Sequence, residues 1–275
     1  GEMGTLLQND QTVMRVRLEN AENLTNPRWR GIALDYFDNR GWSRSSGRRS
    51  QQFDKTERNV FIVDQTARAG GLVIQTVYLE PIQTPVLFAL SRPVLVQGNF
   101  PFINKDAENS LNVGNLFGAE RVSYRVYSDT FQPGAEKLRK DNGAYSPNSW
   151  RYLQLPEDLD PRISDLAGQI TNQSVSRYDK ARAVENYLQT QFGYTLEQKS
   201  KGEQPLADFL FNVREGHCEY FPTAMAVMLP TQGIAARVVN GFQTGEYNET
   251  ADVSVVKQKA AHSWVEVYFP QADAW

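Results

Sequence analysis

Apolar and polar positions alternate from Thr12 to Glu19, with Met14, Val16 and Leu18 on one side and Arg15, Arg17 and Glu19 on the other. A period of two predicts a half-buried strand, with Val13 the residue out of step. Arg28 to Phe37 predicts a second strand, running into Asp38-Asn39-Arg40-Gly41, a turn by composition, and then Trp42. Further strands are expected at Asn59 to Asp64, Leu72 to Leu79, Val94 to Gln97 and Val122 to Tyr127. Pro81, Pro85, Pro93 and Pro101 exclude long helices in that interval. Many short strands with turn signals between them predict an all-β, sandwich-like N-terminal domain over residues 1–132.

The pattern changes between Phe131 and Ser149, where Pro133-Gly134, Asn142-Gly143 and Ser146-Pro147 punctuate a polar stretch. A linker is expected at 133–149, followed by a second domain over 150–275. That domain begins helical. Ile163, Leu166, Ala167 and Ile170 form a stripe within Pro161 to Thr171, and Ala181, Val184, Tyr187, Leu188 and Phe192 form another within Lys180 to Phe192. Gly193 stands where a helix commonly ends, and Leu206 to Phe211 predicts one or two further turns. Cys218, Phe221, Met225, Met228 and Leu229 share one face of a helix whose ladder is expected to start near Cys218 or Glu219. Pro222 fits the first turn of that helix, and Pro230 ends or kinks it. Strands follow at Ile234 to Gly241, Val253 to Val256 and His262 to Phe269. In the last, His262, Trp264, Glu266 and Tyr268 share one face and Val265, Val267 and Phe269 the other. The polar excursion from Gln243 to Gln258 is expected to include a mobile flap. Taken together, the chain is of the α+β class.

Composition narrows the chemistry. The net charge is −3, which argues against a general nucleic-acid binder. Arg44, Arg48 and Arg49 sit in a Ser/Gly loop and are expected to be solvated rather than to hold phosphate. Trp29, Trp42 and Tyr36 could line a carbohydrate face, but aromatics in strands are expected in the core. No run is long enough to cross a bilayer, so this fragment is expected to be soluble. Gly1-Glu2-Met3-Gly4 is expected to be a remnant or an internal cut point. One cysteine excludes an internal disulfide and a cysteine-rich zinc site. No metal or cofactor is expected.

That cysteine, Cys218, follows a glycine and precedes an apolar run, 44 residues before His262. A cysteine at a helix mouth and a histidine on a later strand are the parts of a nucleophile and its base. A helix N-terminus favours the thiolate, imidazole can move the proton, and the Cys218 N–H can serve an oxyanion. Residue types and spacing alone leave a buried structural cysteine equally open. His217, adjacent in sequence, is expected to support the site rather than to react.

Gly216-His217-Cys218-Glu219-Tyr220-Phe221, then Gly233-Ile234-Ala235-Ala236-Arg237, then His262-Ser263-Trp264-Val265-Glu266-Val267-Tyr268 resemble the three core motifs of bacterial transglutaminase-like proteins. Trp29-Arg30-Gly31 and Phe37-Asp38-Asn39-Arg40-Gly41-Trp42 resemble the extracytoplasmic region of the membrane-anchored branch. The resemblance implies a papain-like core, a nucleophile helix packed on an antiparallel sheet. It implies acyl transfer from a glutamine carboxamide through a Cys218 thioester, with His262 as base and acid. Its partners would be a protein or peptide glutamine donor and an amine acceptor in the cell envelope. The setting would be periplasmic or extracytoplasmic, in a parent with flanking membrane helices. A cysteine peptidase or amidase, and a non-catalytic binding or assembly domain, are the alternatives. Three departures stand out: the family's third residue, an Asp, is expected beyond Trp275 rather than at Asp273; Pro222 replaces an Ala; and Pro230 replaces an Arg.

Overall fold

The structure, a computed structural model, describes residues 9–45, 49–67, 70–114 and 120–275. Gly1 to Gly4 and Arg48 lie outside the described residues. The first strands along the chain are β1 (Thr12–Glu19), β2 (Trp29–Leu34), β3 (Tyr36–Phe37), β4 (Trp42–Ser43), β5 (Ser50–Asp54) and β6 (Val60–Ile62). Next come β7 (Val73–Leu79), β8 (Val86–Leu87), β9 (Pro93–Gln97), β10 (Phe102–Asp106), β11 (Leu111–Asn112) and β12 (Val122–Ser128). Helices α1 (Ala135–Arg139), α2 (Pro161–Thr171) and α3 (Arg177–Gln191) follow, then β13 (Gly193–Tyr194), α4 (Pro205–Asp208), β14 (Glu215–Gly216) and α5 (Tyr220–Thr231). The chain closes with β15 (Ala236–Phe242), β16 (Glu246–Asn248), β17 (Val253–Lys257) and β18 (Ala261–Val267).

A seven-stranded sheet, β16-β17-β1-β7-β12-β9-β6, faces a four-stranded sheet, β5-β10-β11-β8. Met14, Val77, Val96 and Val126 from the first sheet and Leu87, Ile103 and Leu111 from the second fill one buried cluster, the sandwich core. Trp29 is buried in that core, as expected of a strand aromatic, whereas Tyr36 is exposed. The second core lies under α2, α3 and α5, against the three-stranded sheet β18-β15-β2. Each helix is closed by local chemistry. Asp160 and Ser176 accept the N–H groups of Arg162 and Asp179 at the starts of α2 and α3. α5 ends in a Schellman motif, in which the N–H of Ile234 reaches the Leu229 carbonyl and that of Gly233 reaches Pro230, with Gly233 at φ 75°. Pro230 sits inside the last turn, and the helix ends one residue later at Thr231.

Strand pairing joins segments from before and after the stretch 133–149. β2, from the first half, is the edge of the sheet that carries the C-terminal motifs, and β17, from the second half, pairs with β1. Within the stretch expected to include a mobile flap, 243–258, residues 246–252 are exposed, and only the part that follows is buried in the sheet. Val253 and Val256 are buried, and β17 lies between β16 and β1 in the larger sheet. Val256 packs into the sandwich core. α3 ends at Gln191, where Gly193 led one to expect, with Phe192 extended and Gly193 opening β13, which runs parallel to β14. The 133–149 connector is pinned. Buried Asp141 accepts the backbone N–H groups of Gln271 and Ala272, while Arg177 donates to the carbonyls of Asp141 and Gly143.

Candidate active site

Residues from three of the sequence motifs meet in one ion cluster on the three-stranded sheet. Arg30 on β2 donates twice to the Glu266 carboxylate on β18, from Nε and Nη2, both at 2.8 Å. Arg237 on the intervening β15 donates its Nε to the same carboxylate at 2.8 Å. All three groups are largely removed from solvent. Burial alone would raise the Glu266 pKa; the two guanidiniums overcome it and hold the group down at about 2. The cluster fixes the register in which Gly241 stands opposite His262. A Cβ on Gly241 would lie 2.1 Å from the Trp29 carbonyl oxygen, and one on Gly31 would lie 2.8 Å from that of Asn240. The glycines let the three strands approach that closely.

Cys218 lies in a turn between β14 and α5, closed by the N–H of Tyr220 donating to the His217 carbonyl. The first helical residue is Tyr220, two places after Cys218, with Glu219 at the N-cap position. The turn is braced from one side by the parallel β13–β14 pair, in which Tyr194 stands opposite Gly216. Phe209 packs against Tyr220 and Phe221 from below. The thiol is partly buried, and its pKa is raised by burial and then by the charge of Glu219, against its own backbone N–H. The resting group is therefore a thiol, not the anion that a helix mouth alone would favour. Tyr194 is raised in turn, by burial and then by the charge of Cys218.

His262 stands near the start of β18, its ring stacked 6.3 Å from that of Trp264. Burial, followed by the charge of Arg28, lowers its pKa, so the imidazole is neutral at pH 7. Among the described residues its ring has no hydrogen-bond partner. Asp273 accepts instead from the Tyr268 hydroxyl at 2.7 Å. His217 points its Nδ1 at the Glu219 N–H, 3.3 Å away, and is also lowered by burial.

The cysteine turn and the histidine strand contribute neighbours of the predicted pair, though neither Cys218 nor His262 itself, to the lining of a common cavity of about 350 Å³. His217, Glu219 and Thr223 come from the turn and α5; Ser263, next to His262, comes from β18. Ser263 donates its hydroxyl to the Asn240 side-chain oxygen at 2.6 Å, tying β18 to β15 at the cavity wall. The opposite wall belongs to the N-terminal half: Phe37, Arg40, Gly41 and Trp42 of the β3–β4 hairpin. That hairpin closes through Asp38, whose side chain accepts the N–H groups of Arg40 and Gly41. It is clamped onto the helical half by Gln154, whose amide both accepts from and donates to the Phe37 backbone. The sequence marked residues 38–41 as a turn but carried no sign that its tip would wall a cavity beside Cys218. Glu219 was legible only as a member of the cysteine motif. Among the described residues, no group of three or more His, Cys, Asp or Glu could hold a metal ion. No helix among them is long and apolar enough to cross a membrane.

Comparison with known proteins covers both halves. Residues 164–275 match the transglutaminase-like superfamily, and residues 1–135 match the TgpA N-terminal domain. A protein-glutamine gamma-glutamyltransferase of Pseudomonas aeruginosa is 29% identical over 281 residues, covering 98% of this chain and 38% of that protein. YebA, an uncharacterized protein of Bacillus subtilis, is 40% identical over 143 residues, 49% of this chain and 19% of its own length. The chain thus spans less than two fifths of the curated relatives it matches. Two crystal structures of the periplasmic domain of TgpA from Pseudomonas aeruginosa superpose over the whole chain. The one bound to ethylmercury has a TM-score of 0.76 at 28% identity and 91% coverage of that chain; the other has 0.77 at 27% and 88%.

Proposed function

We propose that this chain, which belongs to the transglutaminase-like superfamily through residues 164–275, is the catalytic part of a periplasmic protein-glutamine γ-glutamyltransferase. One observation carries the reading: the turn that holds Cys218 and the strand that holds His262 line a single cavity. In the proposed reaction the sulfur of Cys218 attacks the γ-carbonyl carbon of a glutamine side chain. His262, neutral at rest, takes the thiol proton and returns it to the departing nitrogen, so ammonia leaves and a thioester remains. An amine then attacks the thioester, its proton passes to His262, and the thiol is restored with an isopeptide bond formed. A thiol and a neutral imidazole can start this chemistry uncharged, with charge developing only during attack. The Cys218 N–H is the candidate donor to the oxyanion.

The substrates would be envelope proteins or peptides, since the relatives of known structure are periplasmic domains. The parent would carry flanking membrane helices. The test is incorporation of a fluorescent primary amine into a glutamine-containing peptide, with ammonia release followed in parallel. Incorporation that vanishes in Cys218→Ala and falls by at least 100-fold in His262→Ala supports transfer. Ammonia release without incorporation would place the protein with the amidases.

A second reading has its own observation. The Cys218 pKa is raised, and among the described residues no group orients the His262 ring. A scaffold that binds without turning over would have such a resting site. It predicts neither incorporation nor ammonia release from any glutamine donor.

A further inference from the structure

Glu219 is the cavity group whose chemistry the acyl-transfer steps leave unused. It occupies the N-cap position of α5, yet its side chain makes no capping hydrogen bond. Among the described residues its carboxylate forms neither a hydrogen bond nor an ion pair, although Glu219 is half-buried at the cavity wall. Burying a carboxylate without a partner is costly, so its place next to the nucleophile needs an explanation. The rest of the cavity supplies one. Leu34, Phe37, Val238 and Leu206 give its lining an apolar part beside polar Gln198, Asn240 and Ser263. Trp42 adds an indole face. Such a cavity suits an aliphatic stem that ends in a cation.

We infer that Glu219 binds the ammonium group of the acyl acceptor, a primary amine on an unbranched aliphatic stem that lies along Leu34, Phe37 and Trp42. The inference rests on the acyl-transfer reading and deepens it by giving the second substrate a site. The charge of Glu219 acts on the Cys218 thiol, so an amine held there is near the thioester it must attack. The other ionised side chain of the lining, Arg40, is exposed at the hairpin tip, where water and salt screen it. Half-buried Glu219 is less screened. Burial raises the pKa of Glu219, and a bound ammonium would reverse that rise. A neutral His217 adds no competing charge.

Binding can be read without turnover. Pentylamine, and its uncharged counterparts pentanol and valeramide, are titrated into the protein at pH 7.5 while the Trp indole and methyl signals are followed by NMR. The expected result is at least tenfold tighter binding of pentylamine than of either neutral compound, with shifts at Trp42, Thr223 and Val238. Glu219→Gln should abolish that preference and leave the weak binding of pentanol as it was. Equal binding of all three compounds, tighter binding of valeramide, or an unchanged preference in Glu219→Gln would overturn the inference. So would the absence of any pentylamine binding. Nα-acetyl-lysine methylamide and 1,5-diaminopentane, titrated in the same way, distinguish a protein lysine from a free diamine as the source of the amine. Loss of amine incorporation with this binding intact would count against the acyl-transfer reading alone.

Discussion

Glu266→Gln removes one negative charge from between two buried guanidiniums and leaves them facing each other. In the wild type the pair holds the Glu266 pKa at about 2 rather than 4.5. At about 1.4 kcal/mol per pH unit this corresponds to about 3 kcal/mol of stability for the ionised form. Stranding Arg30 and Arg237 falls in the range of roughly 3–5 kcal/mol for breaking a buried pair from one side. For a chain of this size the melting point should fall by about 10 °C. The assay is urea denaturation of both proteins across pH, followed by tryptophan fluorescence. Because the folded pKa is depressed, the advantage of the wild type is fully present above about pH 4.5. It should shrink as the pH falls from there towards about 2. A difference under about 1 kcal/mol at pH 7, or one that does not narrow on acidification, would refute the claim that the cluster holds β2, β15 and β18 together.

The remaining predictions concern the strands and the two histidines. Gly241→Ala places a Cβ against the Trp29 backbone, and denaturation should show a loss of about 2–3 kcal/mol; a neutral result would mean that β2 and β15 are farther apart. Val256→Ala empties space in the sandwich core and should cost about 2 kcal/mol, and the amides of β17 should exchange as slowly as those of β1; fast exchange would contradict its place between β16 and β1. NMR titration should place the midpoints of His217 and His262 below 6.5, with stability falling as the pH drops through 6.5 because the fold favours the neutral rings. A midpoint at or above 6.5 for His262 would contradict its burial.

Elements with strong periodicity were legible in the sequence. The stripe on Ile163, Ala167 and Ile170 became α2, the alternation around Met14 and Val16 became β1, and the motif strand became β18. Strands β5 and β10 were not legible, because Ser50-Gln51-Gln52-Phe53 and Phe102-Ile103-Asn104-Lys105 carry too few apolar positions to show a period. The pairing of β17 with β1 joins segments some 240 residues apart, which no local pattern encodes. For the site, Cys218 and His262 were named as a pair, and the cavity shared by their segments is a product of the tertiary fold. Each member of the Arg30–Glu266–Arg237 cluster lay in a quoted motif, yet their meeting depended on the order of three strands. Glu219 stood in plain view beside Cys218; its lack of a partner becomes visible only once its surroundings are known.

Mass spectrometry of the protein after brief exposure to a glutamine-containing peptide and an acid quench addresses the covalent step itself. The account predicts an adduct on the peptide bearing Cys218, with the mass of the donor less one ammonia, discharged when a primary amine is added and nearly absent in His262→Ala. A free Cys218 thiol while amine incorporation proceeds, or an adduct formed equally well without His262, would contradict it.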